Sequence, residues 1–125
     1  MRTIWACDYD PATGTPGPRQ TFFDTREVAD RPDGGTVDAD GCYWMAGVGG
    51  SQLVRLTPAG RIDRIIALPV ERPTKPAFGG HDLHVLFVTS IGGHATPGHP
   101  QPLAGGLFAL TGLGVQGIPD IRFEG

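Results

Sequence analysis

The sequence predicts an all-β fold, and three observations lead to that prediction. Glycine and proline are frequent, with 20 Gly and 12 Pro among 125 residues, and they separate short apolar runs that alternate between two faces, as strand residues do. No stretch repeats apolar residues with the 3.6-residue period of an amphipathic helix. Similar segments also recur along the chain at intervals of about 40 to 50 residues, which indicates a fold built from repeated groups of strands.

The first quarter of the chain predicts two strands joined by a turn-rich connection. Residues 3–10 alternate in the manner of a strand, and residues 11–14, Pro-Ala-Thr-Gly, form a turn. A proline-rich loop follows as far as Pro18. The next strand covers residues 20–23.

The central stretch, residues 31–44, organises the rest of the prediction. Two turn signals, Asp33-Gly34 and Asp40-Gly41, bracket the β-branched residues Thr36 and Val37, and a second extended run covers residues 42–46. The pattern predicts a turn, a strand, a second turn and another strand. Asp33 then lies at the mouth of a strand, and any chemistry is expected there.

The remaining elements are predicted from the same signals. Gly49-Gly50, residues 57–60 and Gly92-Gly93 mark turns, and Pro69 ends a strand. The predicted strands cover residues 53–56, 61–68, 85–88, 107–110 and 120–123. Five aromatic residues on or near strands are expected to pack between sheets: Trp5, Trp44, Phe78, Phe87 and Phe108.

An internal repeat predicts the architecture. Arg31-Pro32 begins one unit and Arg72-Pro73 begins the next, 41 residues later. Four strands in about 40 to 50 residues is the spacing of a β-propeller blade. The sequence therefore predicts a single partial propeller over residues 1–125. Residues 1–30 would hold the two outer strands of an incomplete blade, residues 31–70 one blade, and residues 72–125 the final blade.

About two and a half blades do not close a propeller, which needs roughly four to eight. Open strand edges favour association with other chains. The prediction is therefore a fragment, or one half of an assembly formed by two copies of the chain or by this chain and a separate amino-terminal half.

Composition argues against several classes of partner. The net charge is −3, and ten basic residues are scattered among thirteen acidic ones, so nucleic acid is not expected as a partner. No apolar run approaches the roughly 20 residues of a membrane helix, and the amino terminus lacks the pattern of a signal peptide.

Cys7 and Cys42 have no CxxC spacing, so reduced thiols in a cytoplasmic protein are favoured over a disulfide.

A series of segments, in order over nearly all of the chain, resembles the carboxy-terminal half of the regucalcin/gluconolactonase family, which includes luciferin-regenerating-enzyme-like proteins. These segments are Arg31–Trp44, Val54–Arg61, Leu68–Thr74, Ala77–Leu83, Val88–Ser90, Ala104–Phe108 and Gly112–Gly117.

The resemblance implies a six-bladed propeller of about twice this length that hydrolyses lactones, typically sugar lactones. It also implies one divalent metal ion in the central tunnel: calcium or zinc, with magnesium and manganese as alternatives. The family's ligands are a Glu, an Asn and the Asp of a Pro-Asp-Gly motif, which matches Asp33. Asp33 is thus the expected metal ligand and catalytic general base.

The Glu and the Asn have no counterpart in this sequence. Calcium takes six to eight oxygen ligands and zinc about four ligands, whereas one carboxylate supplies at most two. Metal binding by this chain alone is therefore expected to be weak or absent.

Each candidate also has a structural interpretation. An Asp before Gly is commonly a turn residue, as Asp33 would then be. Asp38 and Asp40 suggest a calcium loop only faintly, and turn capping is favoured.

His94 and His99, with His81 and His84 nearby, would suit zinc, but solvated loop histidines are favoured. Arg72 and Lys75 could face the tunnel, and a structural role is assigned to both.

Two functions follow. The leading one is a fragment or half of a divalent-metal-dependent lactone hydrolase that contributes Asp33 to a tunnel metal site and acts on a sugar-lactone-type molecule. The alternative is a non-catalytic propeller remnant or interaction domain without turnover. Whether the chain is itself an enzyme stays open, because most metal and substrate residues of the family are absent from it.

Overall fold

The computed structural model describes residues 2–29, 31–93 and 97–124, and the regular structure there is almost entirely β-strand. The one helical element in this part of the chain is a short 3-10 turn, Thr25–Glu27, in which the Arg26 N–H donates a hydrogen bond to the Asp24 side chain. The all-β prediction is confirmed. The strands are β1 Thr3–Ala6, β2 Tyr9–Asp10, β3 Thr15–Pro16, β4 Gln20–Asp24, β5 Arg31–Val37, β6 Tyr43–Val48, β7 Gln52–Leu56, β8 Ile62–Ala67, β9 Pro73–Gly79, β10 Val85–Ser90 and β11 Leu107–Leu110.

The strands form antiparallel sheets of the kind found in propeller blades. One sheet has the order β5-β6-β7-β8 and a second has the order β9-β10-β11, while β1 pairs with β4 and β2 pairs with β3. Strand β5, at one edge of the first sheet, lies next to β9, at one edge of the second. The molecule is thus a partial propeller with β5 and β9 as neighbouring innermost strands. The blade boundaries given above stay a prediction.

Two apolar clusters hold the sheets together. Trp44, Ala46 and Leu53 of the four-stranded sheet pack against Leu86 and Val88 of the next sheet. On the other face, Met45, Val54 and Leu56 pack against Phe23 and Val28. All of these residues are buried. Because strand side chains alternate between faces, Trp44 and Met45 serve different clusters.

The aromatic residues follow the packing prediction only in part. Trp44 is fully buried and meets Phe78 edge-on, with ring centroids 6.3 Å apart. Trp5, by contrast, is 45% exposed on β1. Cys7 and Cys42 are both free thiols, the first exposed and the second buried.

Several strand predictions differ from the structure. The predicted strand over residues 3–10 is divided into β1 and β2, and β3 lies within the predicted proline-rich loop. Strand β9, Pro73–Gly79, was not predicted, because its prolines argue against a strand; β9 is an edge strand, where proline is tolerated. The predicted strand over residues 120–123 is wrong, and Ile121 and Phe123 are 98% and 94% exposed. A strand needs a neighbouring edge to complete its hydrogen bonds, and this segment pairs with none in the described residues.

No helix in the described ranges is long and apolar enough to cross a membrane.

Candidate functional site

Asp33 lies on a bulge in the innermost strand of the four-stranded sheet. Pro32 pairs with Gly47 and Gly35 pairs with Met45, so Asp33 and Gly34 together oppose the single residue Ala46. Strand β5 continues through this point, and the predicted Asp33-Gly34 turn is therefore wrong. A bulge of this type bends the strand and re-aims a side chain, and bulges are common beside active sites.

Close packing explains the glycine at position 34. A Cβ atom on Gly34 would lie 2.6 Å from Lys75 Cδ and 2.7 Å from the Thr74 carbonyl oxygen. The backbone of β5 therefore touches β9 at the residue that follows Asp33. Contact between the two sheets therefore requires glycine at position 34. The Asp33-Gly34 pair, which the sequence indicated as a turn, reflects this close approach of β5 to β9.

Lys75 and its neighbours connect the bulge to the second sheet. Lys75 Nζ donates a hydrogen bond to the Gly35 carbonyl oxygen. On the same strand, the hydroxyl group of Thr74 lies 2.8 Å from that of Thr89 on β10, and the two share a hydrogen bond. The structural role assigned to Lys75 agrees with this contact. The bulge is thus supported from β9 on the side that faces the neighbouring sheet.

The Asp33 carboxylate is exposed, and within the described residues it has no hydrogen-bond or ion-pair partner. Its chemistry is consequently that of an available carboxylate. It could accept a proton from water or give one or two oxygen ligands to a cation.

The described residues do not make a complete metal site around Asp33. No group of three or more His, Cys, Asp or Glu side chains among them could hold a metal ion. The side chain that packs beside the bulge, Lys75, is a cation, which opposes metal binding electrostatically. Any metal ion at Asp33 would therefore need most of its ligands from outside these residues.

A second cluster of charged groups surrounds Asp38, which is fully buried. Its Oδ1 atom accepts hydrogen bonds from the backbone N–H groups of Asp40 and Cys42, both at 3.0 Å. The turn-capping interpretation of Asp38 is thereby confirmed, and the positive φ of Gly41, 77°, completes the Asp40-Gly41 turn.

The other oxygen of Asp38 takes part in a buried ionic network. Asp38 Oδ2 accepts hydrogen bonds from Trp44 Nε1 and Arg55 Nε, each at 2.8 Å. Arg55 also bonds to Asp40 at 2.8 Å and Asp63 at 2.9 Å. Burial alone would raise the pKa of Asp38, but the hydrogen bonds from Trp44 and Arg55 and the Cys42 amide outweigh it and hold the pKa below its usual value.

This network is structural. Arg55 and Arg64 both lie over the ring of Trp44, with guanidinium carbons 5.8 and 5.9 Å from the ring centroid. Asp38 and Arg55 are both buried and bonded to each other, so neither is available to a ligand. The Arg55 partnership could not be read from the sequence, because no local pattern joins residues 38 and 55.

The histidines do not form a cluster within the described residues. His84 Nδ1 lies 2.9 Å from the Val115 carbonyl oxygen, while His81 and His99 are exposed in loops. His94 lies outside the described residues. Arg72 donates a hydrogen bond to the Gly92 carbonyl oxygen at 3.2 Å, which supports the structural role assigned to it.

Comparison with known proteins gives one consistent family. Regucalcin of Gallus gallus is 39% identical over 130 residues, covering 98% of this chain and 42% of the relative. A solved structure of regucalcin from Agrobacterium tumefaciens, described as a calcium-binding protein, superposes with a TM-score of 0.83 at 30% identity, covering 94% of this chain and 40% of that one. A solved luciferin-regenerating enzyme gives the same values.

The chain thus spans about two fifths of the length of the relatives that it matches. The family profile described as "SMP-30/Gluconolactonase/LRE-like region" matches residues 1–92. With this match and the regucalcin relatives taken together, the chain belongs to the SMP-30/gluconolactonase/LRE-like family.

Proposed function

We propose that this chain is part of a divalent-metal-dependent lactone hydrolase that acts on sugar-lactone-type molecules, and that it contributes Asp33 to the reaction site. The observation that carries the proposal is the bulge in β5, which presents an exposed carboxylate on an innermost strand. Family membership supports the reaction class. The chain would correspond to the carboxy-terminal half of its relatives.

The remaining ligands would come from another segment or chain, because the described residues around Asp33 do not hold three potential metal ligands. Two copies of this chain would bring two Asp33 carboxylates but no new type of ligand. Since the Agrobacterium relative is described as calcium-binding, calcium is the first candidate ion; zinc, magnesium and manganese are alternatives. The bound ion would polarise the lactone carbonyl.

Asp33 would act as a general base. Its carboxylate accepts a proton from a water molecule while the water oxygen forms a bond to the lactone carbonyl carbon. The ring C–O bond then breaks, the ring oxygen takes up a proton, and the product is a hydroxy acid. An exposed carboxylate without an ion-pair partner among the described residues suits this role, because its oxygens are free to face water.

The two free cysteines fit a reducing compartment. We accordingly place the protein in the cytoplasm as part of the proposal. Reduced thiols in the purified protein after extraction under thiol-blocking conditions would support this location, and a stoichiometric disulfide would contradict it.

The test measures hydrolysis of glucono-δ-lactone above the spontaneous rate, for the chain alone and for the chain mixed with a polypeptide that carries the remaining length of a regucalcin relative. We expect turnover in the mixture, with a loss of about a hundredfold or more in Asp33→Asn, the range for removal of a general base. Asp82→Asn is the matched control, since Asp82 is also exposed and precedes a strand.

Bound-metal analysis of the same samples gives a readout that does not depend on turnover. The mixture should retain a divalent ion that Asp33→Asn loses and Asp82→Asn keeps. Equal activity and equal metal content in Asp33→Asn and the unchanged protein would refute the role of Asp33.

The alternative is a non-catalytic remnant or interaction domain. It is favoured by the incomplete ligand set in the described residues. A folded complex with the complementary polypeptide that shows neither turnover nor bound metal would establish this alternative.

A further inference from the structure

Strand β1 has an open edge beside an apolar groove. β1 pairs with β4 on one side and with no other strand in the described residues. The groove has a volume of about 370 Å³ and is lined mainly by apolar residues, among them Ile4, Trp5, Phe22, Val37, Tyr43 and Pro58. Two of these residues, Trp5 and Val37, are 45% and 44% exposed. An open edge of this kind accepts an added strand.

The carboxy-terminal segment, residues 118–124, has the complementary feature: its apolar residues alternate as in a strand, but it pairs with no strand within the described residues. In an extended chain, Ile121 and Phe123 fall on one face, with Asp120 and Arg122 on the other. Ile121 and Phe123 are 98% and 94% exposed. The segment follows Gly117, whose amide donates a hydrogen bond to the Leu83 carbonyl oxygen, and its first residues, 118–121, line a shallow groove with Thr36 and Val37.

We infer that the carboxy-terminal segment of one copy of this chain binds as an added antiparallel strand to the β1 edge of a second copy. The inference specifies the surface of the two-copy association that the sequence led us to expect, and it does not depend on lactone hydrolysis. Within the described residues, each chain has an unpaired edge at β1 and an unpaired strand-patterned segment at its carboxy-terminal end. In a dimer, two copies that exchange these segments pair both β1 edges and both segments. If each chain instead gives its segment to one copy and accepts a segment from a different copy, longer assemblies form.

The side-chain pattern selects a register. With Phe123 opposite Ile4, Ile121 lies opposite Ala6. Both apolar residues of the segment then share the face of Ile4, which packs against the cluster that contains Phe23 and Met45. On the other face Arg122 lies opposite Trp5, an arrangement that allows a cation–π contact. Asp120 then lies opposite Cys7, the exposed thiol that follows β1.

This register provides a direct proximity test. One chain carries Cys7→Ser with Asp120→Cys, and the other keeps its native Cys7. After mixing and mild oxidation with oxidised glutathione, we expect a covalent dimer. Mass spectrometry should identify a disulfide between native Cys7 and the thiol introduced at position 120, since directly opposed Cβ atoms lie within about 5.5 Å. The control, Cys7→Ser with Leu103→Cys, places a thiol at another exposed apolar position and should give no such dimer.

A second experiment measures association without covalent trapping. Light scattering after size exclusion, over a concentration series, should show that the unchanged protein self-associates and that Ile121→Asp with Phe123→Asp raises the dissociation constant about tenfold or more. Leu103→Asp should leave it unchanged. Circular dichroism should show all variants folded, because these side chains are exposed.

Three results would overturn the inference. The first is a monomeric unchanged protein throughout the series. The second is undiminished association of the double variant. The third comes from a chain that carries Asp120→Cys and keeps Cys7: a disulfide formed within that one chain would mean that the segment folds back on its own β1. None of these results bears on hydrolysis, so this inference and the proposed function fail separately.

Discussion

The Asp38 carboxylate is fully buried and accepts four hydrogen bonds, two from backbone amides and two from Trp44 and Arg55. We predict that Asp38→Asn lowers the free energy of unfolding by about 3–5 kcal/mol, because it leaves the buried Arg55 charge without its closest partner. Urea denaturation measures the change. Asp82→Asn, at an exposed position, should stay within about 0.5 kcal/mol of the unchanged protein.

Acid stability should depend on the same residue. The folded-state pKa of Asp38 lies below its ordinary value of 3.8, so its contribution is fully present above that value and is lost as the pH falls through the lower folded-state pKa. We predict that the free energy of unfolding declines below about pH 4, and that the decline is shallower in Asp38→Asn. Equal slopes in both proteins would contradict this assignment.

Single residues differ in how far the sequence reveals their roles. The turn at Asp40-Gly41 and its capping by Asp38 were predictable, because a turn involves neighbours in the sequence. The bond from Arg55 to Asp38 joins residues that are far apart in the sequence and has no local signal. The turn and strand pattern pointed to Asp33 as the place for any chemistry, but its roles as metal ligand and general base could be proposed only because its motif resembles that of a known family. The bulge that presents it depends on contact with β9.

Elements were predictable where they carry their own periodicity. Strands β6, β7, β8, β10 and β11 each contain an apolar run bounded by turn residues, and each was predicted. Strand β9 was missed because its prolines argue against a strand. Proline is tolerated there because β9 lies at the edge of its sheet, and the position of a strand within a sheet cannot be read from the segment itself. Residues 120–123 have strand periodicity but no partner edge in the described residues, so periodicity alone was insufficient.

The contact between β5 and β9 gives a prediction at the scale of elements. Gly34→Ala would place a Cβ atom 2.6 Å from Lys75 Cδ and 2.7 Å from the Thr74 carbonyl oxygen, and the backbone oxygen cannot rotate away as a side chain can. We expect a loss of about 1–3 kcal/mol in unfolding free energy, the usual cost of overpacking. Thermal and urea denaturation both report it.

Gly92→Ala is the matched control for this variant. A Cβ atom on Gly92 would have its nearest neighbour at 3.5 Å, an ordinary van der Waals contact, and neither glycine has a positive φ. Equal losses in the two variants would show that the approach of β5 to β9 is not what requires glycine at position 34.

At the scale of the whole molecule, residues 113–117 form a connection between the two main sheets. The Leu113 carbonyl oxygen accepts a hydrogen bond from Arg64 of β8 at 2.7 Å, and the Gln116 carbonyl oxygen accepts one from the Ala39 amide at 2.8 Å. Toward the other sheet, the Gly117 amide donates to the Leu83 carbonyl oxygen at 2.9 Å. The repeat predicted separate groups of strands, but this connection appears only in the folded molecule.

Val115 anchors this connection: its side chain is 6% exposed and belongs to the cluster that joins both sheets. We predict that Val115→Ala lowers the free energy of unfolding by about 1–3 kcal/mol, because two buried methyl groups are removed. Hydrogen exchange should show that amides of β7 and β10 lose protection together, since one connection holds both sheets. Leu103→Ala, at an exposed position outside both sheets, should change neither quantity. A loss of protection confined to β10 would show that the sheets open independently and that residues 113–117 do not couple them.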